Sequence, residues 1–370
     1  MKIAILSPFY PYRGGIAQFG AMLYKTLESK HEVKAFSFSR LYPDFLFPGK
    51  NQLVEENDDA IQLPSERTLD SINPVSCFST AKAIRRFRPD VLVVAYWMPF
   101  IAPAYTAITR LLKKQTIIIG LLHNAISHER RFLDRFLARW FFKQCHGFMV
   151  MSEAVKKELS SLLPEAHCCY KPHPIYNHFG KKLSSDIAKT HLKLDKNKKC
   201  LLFFGLIRDY KGLDLLIEAM TYLDDSYQLL IAGEAYGSFG KYQKLIDHSP
   251  AKERILVKNH YIEDKEVATL FSAADALVLP YKSATQSGVL SVAYYYEIPV
   301  VATDTGGFRE AIGQAETGVV CAPNAIALAE GIDEIFRTGR EKWISNIRKE
   351  KSTLSWEDFA ETLVDFAKLL

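Results

Sequence analysis

Phe203-Phe204-Gly205-Leu206-Ile207-Arg208-Asp209-Tyr210-Lys211-Gly212 is the stretch on which the reading of the chain turns. Phe203 and Phe204 end an apolar run, 200–204, that reads as a buried strand, and Gly205 closes it. Arg208 and Lys211 follow, three residues apart. Gly212 then opens a helical pattern through Leu213, Leu216, Ile217 and Met220. A strand–loop–helix junction of an α/β domain gathers backbone N–H groups, and phosphates bind there. An Arg and a Lys at that point predict an anion carrying more charge than a helix end alone neutralises, such as a diphosphate.

Outward from this junction, strand and helix patterns alternate in two series. The first has strands at 2–7, 33–38, 91–96, 116–122 and 147–152, with helices at 16–28, 79–87, 100–112 and 129–144. The segment 40–73 is rich in Pro, Asp and Asn and shows no periodic pattern. Lys171-Pro172-His173-Pro174 denies helix and reads as a stiff crossing, followed by a charged stretch at 181–199. The second series has strands at 200–204, 227–232, 255–258, 276–280, 300–302 and 318–321. Such alternation predicts an α/β protein with parallel sheets covered on both faces, and a ligand at the carboxyl ends of the strands, in a cleft between the two halves. The expected domains are 1–175 and 176–354. A final helix, 355–370, carries Phe359, Leu363 and Phe366 at helical spacing and is expected to return to the first domain.

At 370 residues, 48% hydrophobic and 24% charged, the chain has the composition of a two-domain globular protein. No apolar run approaches the roughly 18 residues that span a bilayer. The first strand starts at Lys2, which leaves no room for a signal peptide, and six cysteines fall in no metal or disulfide spacing; both point to the cytoplasm. The net charge of +5 is uneven: residues 1–180 hold 23 Lys and Arg against 15 Asp and Glu. The basic first half suits contact with an anionic surface or substrate, whereas the Arg208–Lys211 pair lies in an acidic half.

Three motifs together resemble glycosyltransferase family 4, the retaining sugar transferases of the GT-B fold, over nearly the whole chain. The first is the loop Ser7-Pro8-Phe9-Tyr10-Pro11-Tyr12-Arg13-Gly14-Gly15-Ile16, whose paired glycines let a backbone approach an anion at a helix start or make an ordinary turn. The second is His123-Asn124 at the end of the strand 116–122, and the third is Arg208–Lys211. The resemblance implies two Rossmann-like domains facing each other across a cleft. It makes His123, Arg208 and Lys211 the catalytic residues. It places the donor diphosphate near Gly14 and Gly15, and acceptor contacts at Arg13, Asn124 and His128. Strand-end hydrogen bonding for His123 and a solvated turn for Arg208–Lys211 remain the plain alternatives.

One segment departs from the family pattern. Where two glutamates eight residues apart usually contact sugar and ribose, this chain has Ser283-Ala284-Thr285-Gln286-Ser287-Gly288-Val289-Leu290-Ser291-Val292-Ala293. Thr285, Gln286 and Ser287 are neutral donor contacts, and the amides of Gly288, Val289 and Leu290 at a helix start still suit phosphate. Glu310, after Gly306-Gly307-Phe308, is expected either to touch sugar or nucleotide or to cap a helix.

The resulting expectation is sugar transfer from a nucleotide-diphosphate sugar to a hydroxyl of a saccharide or lipid-linked glycan. Neither a cofactor nor a metal is expected, since no Asp-x-Asp pair of a metal-dependent transferase occurs, and nucleic acid is not an expected partner. A non-catalytic nucleotide-sugar binder and another GT-B enzyme, such as a sugar-nucleotide epimerase, are the alternatives. Arg130, Arg131, Arg135, Arg139 and Lys143 interleave with Phe132, Leu133, Phe136, Trp140 and Phe141 in an amphipathic pattern. This helix is expected either to supply core or to touch an anionic membrane, at the inner face of the plasma membrane.

Overall fold

The computed structural model describes residues 1–43, 51–54, 60–126, 133–284 and 287–370. His128, Thr285 and Gln286, and with them Glu129, Arg130, Arg131 and Phe132, lie outside the described residues. The chain divides into two compact units, one made of Met1–Pro174 with Ser355–Leu370, the other of Ile175–Leu354.

In the first unit the elements run β1 (Lys2–Leu6), α1 (Gly15–Glu28), β2 (Glu32–Arg40), β3 (Ser65–Asp70), α2 (Pro74–Phe87) and β4 (Val91–Tyr96). They continue with α3 (Ala102–Leu112), β5 (Ile117–Leu122), α4 (Asp134–Phe142), β6 (Gly147–Val150), α5 (Glu153–Leu162) and β7 (Cys168–Tyr170). All described strands are parallel, in the order β3-β2-β1-β4-β5-β6-β7. β4 is buried along its whole length, which is why Val91–Tyr96 reads as an unbroken apolar run. The strand order reverses between β1 and β4, where chain connections diverge and open a crevice at the carboxyl ends. α2 begins at Pro74, five residues before the expected start. Asn73 caps it by accepting from Val75 N–H at 3.0 Å, and Pro74 takes the first-turn position that needs no N–H.

The second unit runs α6 (Ser185–His191), β8 (Lys199–Phe204), α7 (Leu213–Ala219), β9 (Tyr227–Ala232), α8 (Gly240–Asp247), β10 (Ile255–Lys258), α9 (Asp264–Ala273) and β11 (Ala276–Leu279). It ends with α10 (Gly288–Tyr295), β12 (Val300–Thr303), β13 (Gly318–Cys321), α11 (Ala325–Thr338) and α12 (Arg340–Lys351). Its parallel sheet has the order β10-β9-β8-β11-β12-β13, reversing between β8 and β11. The charged stretch 181–199 contains α6 because its Lys189 is neutralised inside. The Lys189 ammonium lies 2.9 Å from Asp275, which also receives Arg340 at 2.7 Å and the Cys200 N–H at 2.8 Å. An ion pair this buried needs such extra donors to hold its carboxylate.

The last helix, α13 (Trp356–Leu369), belongs to the first unit. Ser355 caps it by accepting from Asp358 N–H at 3.0 Å. Its Phe366, with Leu370 just beyond it, packs so closely on β6 that a Cβ at Gly147 would stand 2.6 Å from Leu370 Cδ1. Phe19 of α1, fully buried, joins this helix to the sheet. Its ring lies 4.9 Å from Trp356 and 5.5 Å from Phe359, and meets the rings of His123 and His173 edge-on at 5.0 Å each. Among the described residues no helix is long and apolar enough to cross a membrane, and no two cysteines are bonded.

Burial holds His123 down to about 3, with His173 adding to the effect, and holds His173 down to about 4. Both rings are neutral in the folded chain near pH 7. As pH falls below about 6.5, the unfolded chain takes up protons first, so stability declines by up to about 1.4 kcal/mol per pH unit for each histidine. His123→Gln is expected to remove about half of this histidine-dependent slope between about pH 6.5 and pH 4, measured by urea unfolding at stepped pH; an unchanged slope would contradict the buried neutral ring. Phe19→Ala is expected to cost about 3–5 kcal/mol in the same assay, because the cavity opens among four aromatic neighbours. A loss below about 1 kcal/mol would show that α13 does not depend on this ring.

Candidate functional site

In the second unit, β8 and β11 lie side by side at the reversal of strand order, and the loops leaving both carboxyl ends meet. Gly205 ends β8 with φ +98°, a conformation that L side chains rarely adopt. A Cβ there would stand 3.1 Å from Lys211 Nζ and 3.7 Å from Val289 Cγ2. The ammonium of Lys211 therefore hangs over a bare stretch of backbone, beside the first turn of α10. Gly212, with φ +66°, turns the chain so tightly that a Cβ would lie 1.9 Å from Pro280 O. Lys282 N–H closes the contact by donating to Tyr210 O at 2.6 Å.

The charge distribution in this turn is uneven. Asp209, between the two cations in sequence, faces α8, where it pairs with Lys241 and accepts from Tyr242 Oη at 3.2 Å. These partners hold its carboxyl below the usual range. Asp209 is thus spent locally. Arg208 lays its guanidinium 4.0 Å above the Tyr236 ring, a cation–π contact that orients the fork. Lys211 is 9% exposed, and no carboxylate pairs with its Nζ among the described residues. Burial pulls its pKa down from the ordinary lysine value, and the Arg208 charge adds to this.

Tyr281, after β11, ties the surrounding loops together. Its ring sits 5.6 Å from Lys211 Nζ and meets Tyr210 at 6.2 Å and Phe308 at 5.4 Å. Its hydroxyl pairs with Ser287 Oγ at 3.3 Å, and its carbonyl accepts from the Thr303 hydroxyl and, at 3.4 Å, from Thr305 Oγ1. Burial pushes the phenol up to about 12, so it stays a neutral hydrogen-bonding group. Sequence patterning did not single out Tyr281; its signal was a tyrosine one residue past a buried strand end. Glu234, 5% exposed, was also missed. Its carbonyl accepts from Ile207 N–H at 2.8 Å, which fastens the loop carrying Tyr236 to the loop carrying Arg208.

α10 starts at Gly288, and the amides of a first helical turn point outward with a partial positive charge. The expectation of three open amides is corrected at Leu290, whose N–H turns back to Ser287 O at 3.1 Å, leaving Gly288 and Val289 as the candidates. Val292 and Ala293, near the place of the second family glutamate, are buried in the core face of α10. Glu310 is half-buried in the first turn of a short π-helix, Arg309–Gln314, two residues beyond the Phe308 that packs on Tyr281.

In the first unit, the loop from Ser7 to Gly14 is fastened to residues 51–54. Arg13 N–H donates to Gln52 O at 3.2 Å, and Val54 N–H to Pro11 O at 2.8 Å. Gly14 has φ +101° with open space where a Cβ would point, and exposed Gly15 begins α1. His123 ends β5 with its N–H bonded to Tyr96 O at 2.8 Å, and its ring is 5% exposed. Asn124 follows, half-buried. The chemistry this arrangement offers is neutral hydrogen bonding from His123 and Asn124, with Arg13 as the cation of the loop.

The family description "Glycosyltransferase Family 4" matches residues 13–175, and "Glycosyl transferases group 1" matches residues 184–350. The chain is 24% identical over 183 residues to a D-inositol 3-phosphate glycosyltransferase of Xylanimonas cellulosilytica, covering 48% of this chain and 44% of that one. It is 27% identical over 192 residues to a GDP-mannose:glycolipid 4-beta-D-mannosyltransferase of Xanthomonas campestris pv. campestris, covering 50% of each. The chain thus spans about half the length of the curated relatives it matches. Among solved structures, HepE of Anabaena in complex with UDP and glucose matches over 100% of both chains, at 16% identity and a TM-score of 0.76. Two adjoining family matches and the shared fold lead to one conclusion: the chain belongs to the group 1, family 4 glycosyltransferases of the GT-B fold.

Proposed function

We propose that the protein transfers a sugar from a nucleotide-diphosphate sugar to a hydroxyl of a saccharide or lipid-linked glycan, with retention of anomeric configuration and without a metal ion. The observation that carries this reading is Lys211: a desolvated ammonium with no carboxylate paired to it among the described residues, held over Gly205 and beside the amides of Gly288 and Val289 at the start of α10. A buried cation of this kind is unfavourable until an anion arrives. A diphosphate supplies that anion, and its leaving charge grows as the glycosidic bond breaks. Lys211 and the Arg208 fork meet that growing charge with preorganised donors, which replaces the role a metal would have. The relatives' names support the donor class, since one uses GDP-mannose and the HepE structure holds UDP.

In the first unit, the neutral ring of His123 orients the sugar by hydrogen bonding rather than by charge, and the Gly14–Gly15 backbone accommodates phosphate. Arg13, Asn124 and His128 contact the acceptor. Glu310 and Ser287, with Thr285 and Gln286, complete donor recognition. Attack occurs from the leaving-group face, with no covalent intermediate on the protein. The chemistry takes place at the cytoplasmic face of a membrane, where a lipid-linked acceptor resides.

Val292 and Ala293 inside α10, in place of a carboxylate, favour one second reading, a protein that binds nucleotide sugars without turning them over. Binding together with transfer or slow donor hydrolysis supports the transferase; binding with neither supports the binder.

Lys211→Met is expected to weaken UDP or GDP binding by about tenfold to a hundredfold, the worth of one or two charged hydrogen bonds. Because the charge is desolvated in the free protein, the same variant is expected to melt no lower than the parent without ligand. Titration calorimetry and thermal melting check the two halves. Undiminished nucleotide binding would refute the site, whatever the melting temperature. Gly205→Ala is expected to weaken the same binding, because its Cβ occupies the space under Nζ.

A further inference from the structure

We infer that the layer formed by α2, α3 and α4 is a docking face for an anionic lipid bilayer, with α2 contributing as much as α4. The three helices pack side by side in the first unit, α2 on α3 and α3 on α4, and the Arg85 guanidinium of α2 donates to Leu111 O of α3 at 2.6 Å. Each buries its own apolar stripe against the sheet: Cys77, Ala81 and Ile84 in α2, Ile108 and Leu112 in α3, Ala138, Phe141 and Phe142 in α4. The core is therefore already supplied. A second apolar set faces outward regardless. Val75 and Phe78 stand exposed on α2, Leu111 on α3, and Phe136 and Trp140 on α4, with Leu133 just before it.

Exposed cations interleave with these side chains. Lys82, Arg85 and Arg86 lie along α2, and Arg135, Arg139 and Lys143 along α4 and its end. Across the three helices the sequence holds a single acid, Asp134, and it is buried. Two 14- and 9-residue helices flanking a third span a face of about 20 Å by 20 Å. Large apolar tips between Lys and Arg, without an acid among them, fit an interface of acyl chains and anionic headgroups. A second copy of this chain docked through the same face would set these six like charges against each other. The face is independent of the sugar chemistry proposed above, although it would hold the enzyme beside a lipid-linked acceptor.

The test uses the full chain and vesicles of phosphatidylcholine, with and without phosphatidylglycerol, in sedimentation at low and high salt. The expected result is pelleting with the anionic vesicles alone at low salt. Arg135→Glu with Arg139→Glu, Phe136→Ser with Trp140→Ser, and Val75→Ser with Phe78→Ser are each expected to lower partitioning by about tenfold or more. All three pairs are surface changes, so melting temperature and UDP or GDP binding are expected to match the parent. Equal pelleting with both vesicle types, or none, would overturn the inference, as would a concentration-dependent dimer broken by these variants. Loss of binding from the α4 pairs with full retention by the α2 pair would overturn the shared face.

Discussion

Everything at the Arg208–Lys211 turn depends on one constraint: the Lys211 ammonium stays out of water with no carboxylate paired to it among the described residues. Three features enforce it. Gly205 has no Cβ, so Nζ can settle 3.1 Å from where that atom would be. Gly212 presses the turn onto Pro280 O, which fixes the lysine's backbone against the neighbouring strand. The two acids flanking it in sequence are drawn away, Asp209 to Lys241 and Tyr242 and Asp214 to Lys282. A lysine on a freely solvated loop would be hydrated and would gain little from a phosphate; one already desolvated gains the full charge-assisted interaction.

The surroundings serve that constraint. Tyr281 reaches Lys211, Tyr210, Phe308 and Ser287, so a single buried ring sets the spacing of the loops that follow β8, β11 and β12. Its carbonyl is held by two threonines, which fixes the ring's backbone in turn. In the first unit the comparable element is Phe19, wedged among His123, His173, Trp356 and Phe359. There burial acts in the same direction, lowering the pKa of a base, but on groups whose ordinary value is already near neutrality. Burial keeps the two histidines neutral, so that unit offers hydrogen bonds at His123 where the other offers charge.

Sequence periodicity located the buried strands because parallel strands covered on both faces are unbroken apolar runs. Val91–Tyr96 and Tyr227–Ala232, buried throughout, have the bounds expected of them, and so do the half-buried edge strands Ile255–Lys258 and Gly318–Cys321, whose residues stay mostly apolar. It failed where the strand is polar or short. β3 is Ser-Glu-Arg-Thr-Leu-Asp, an edge strand with one buried residue, and β7 is three residues long. α6 was hidden by its charges until Asp275 and Lys189 are seen together across 86 residues of sequence. The cationic turn was legible because glycine, Arg and Lys carry their chemistry locally. Tyr281 and Glu234 were not, since what matters about them is which distant loops they touch. The outward apolar residues of α4 were legible as a pattern, but only the packing of α2 beside α3 and α4 shows that the pattern extends across three helices.

The central claim concerns the state of one proton-binding group, so the most direct measurement is the pKa of Lys211. It can be followed by the 13Cε resonance of labelled lysines, assigned by its disappearance in Lys211→Arg. The account predicts a value below the ordinary 10.5 in the free protein, lowered by burial, and a rise when UDP or GDP is added. A free-protein value at or above the ordinary one, unmoved by saturating nucleoside diphosphate, would contradict it.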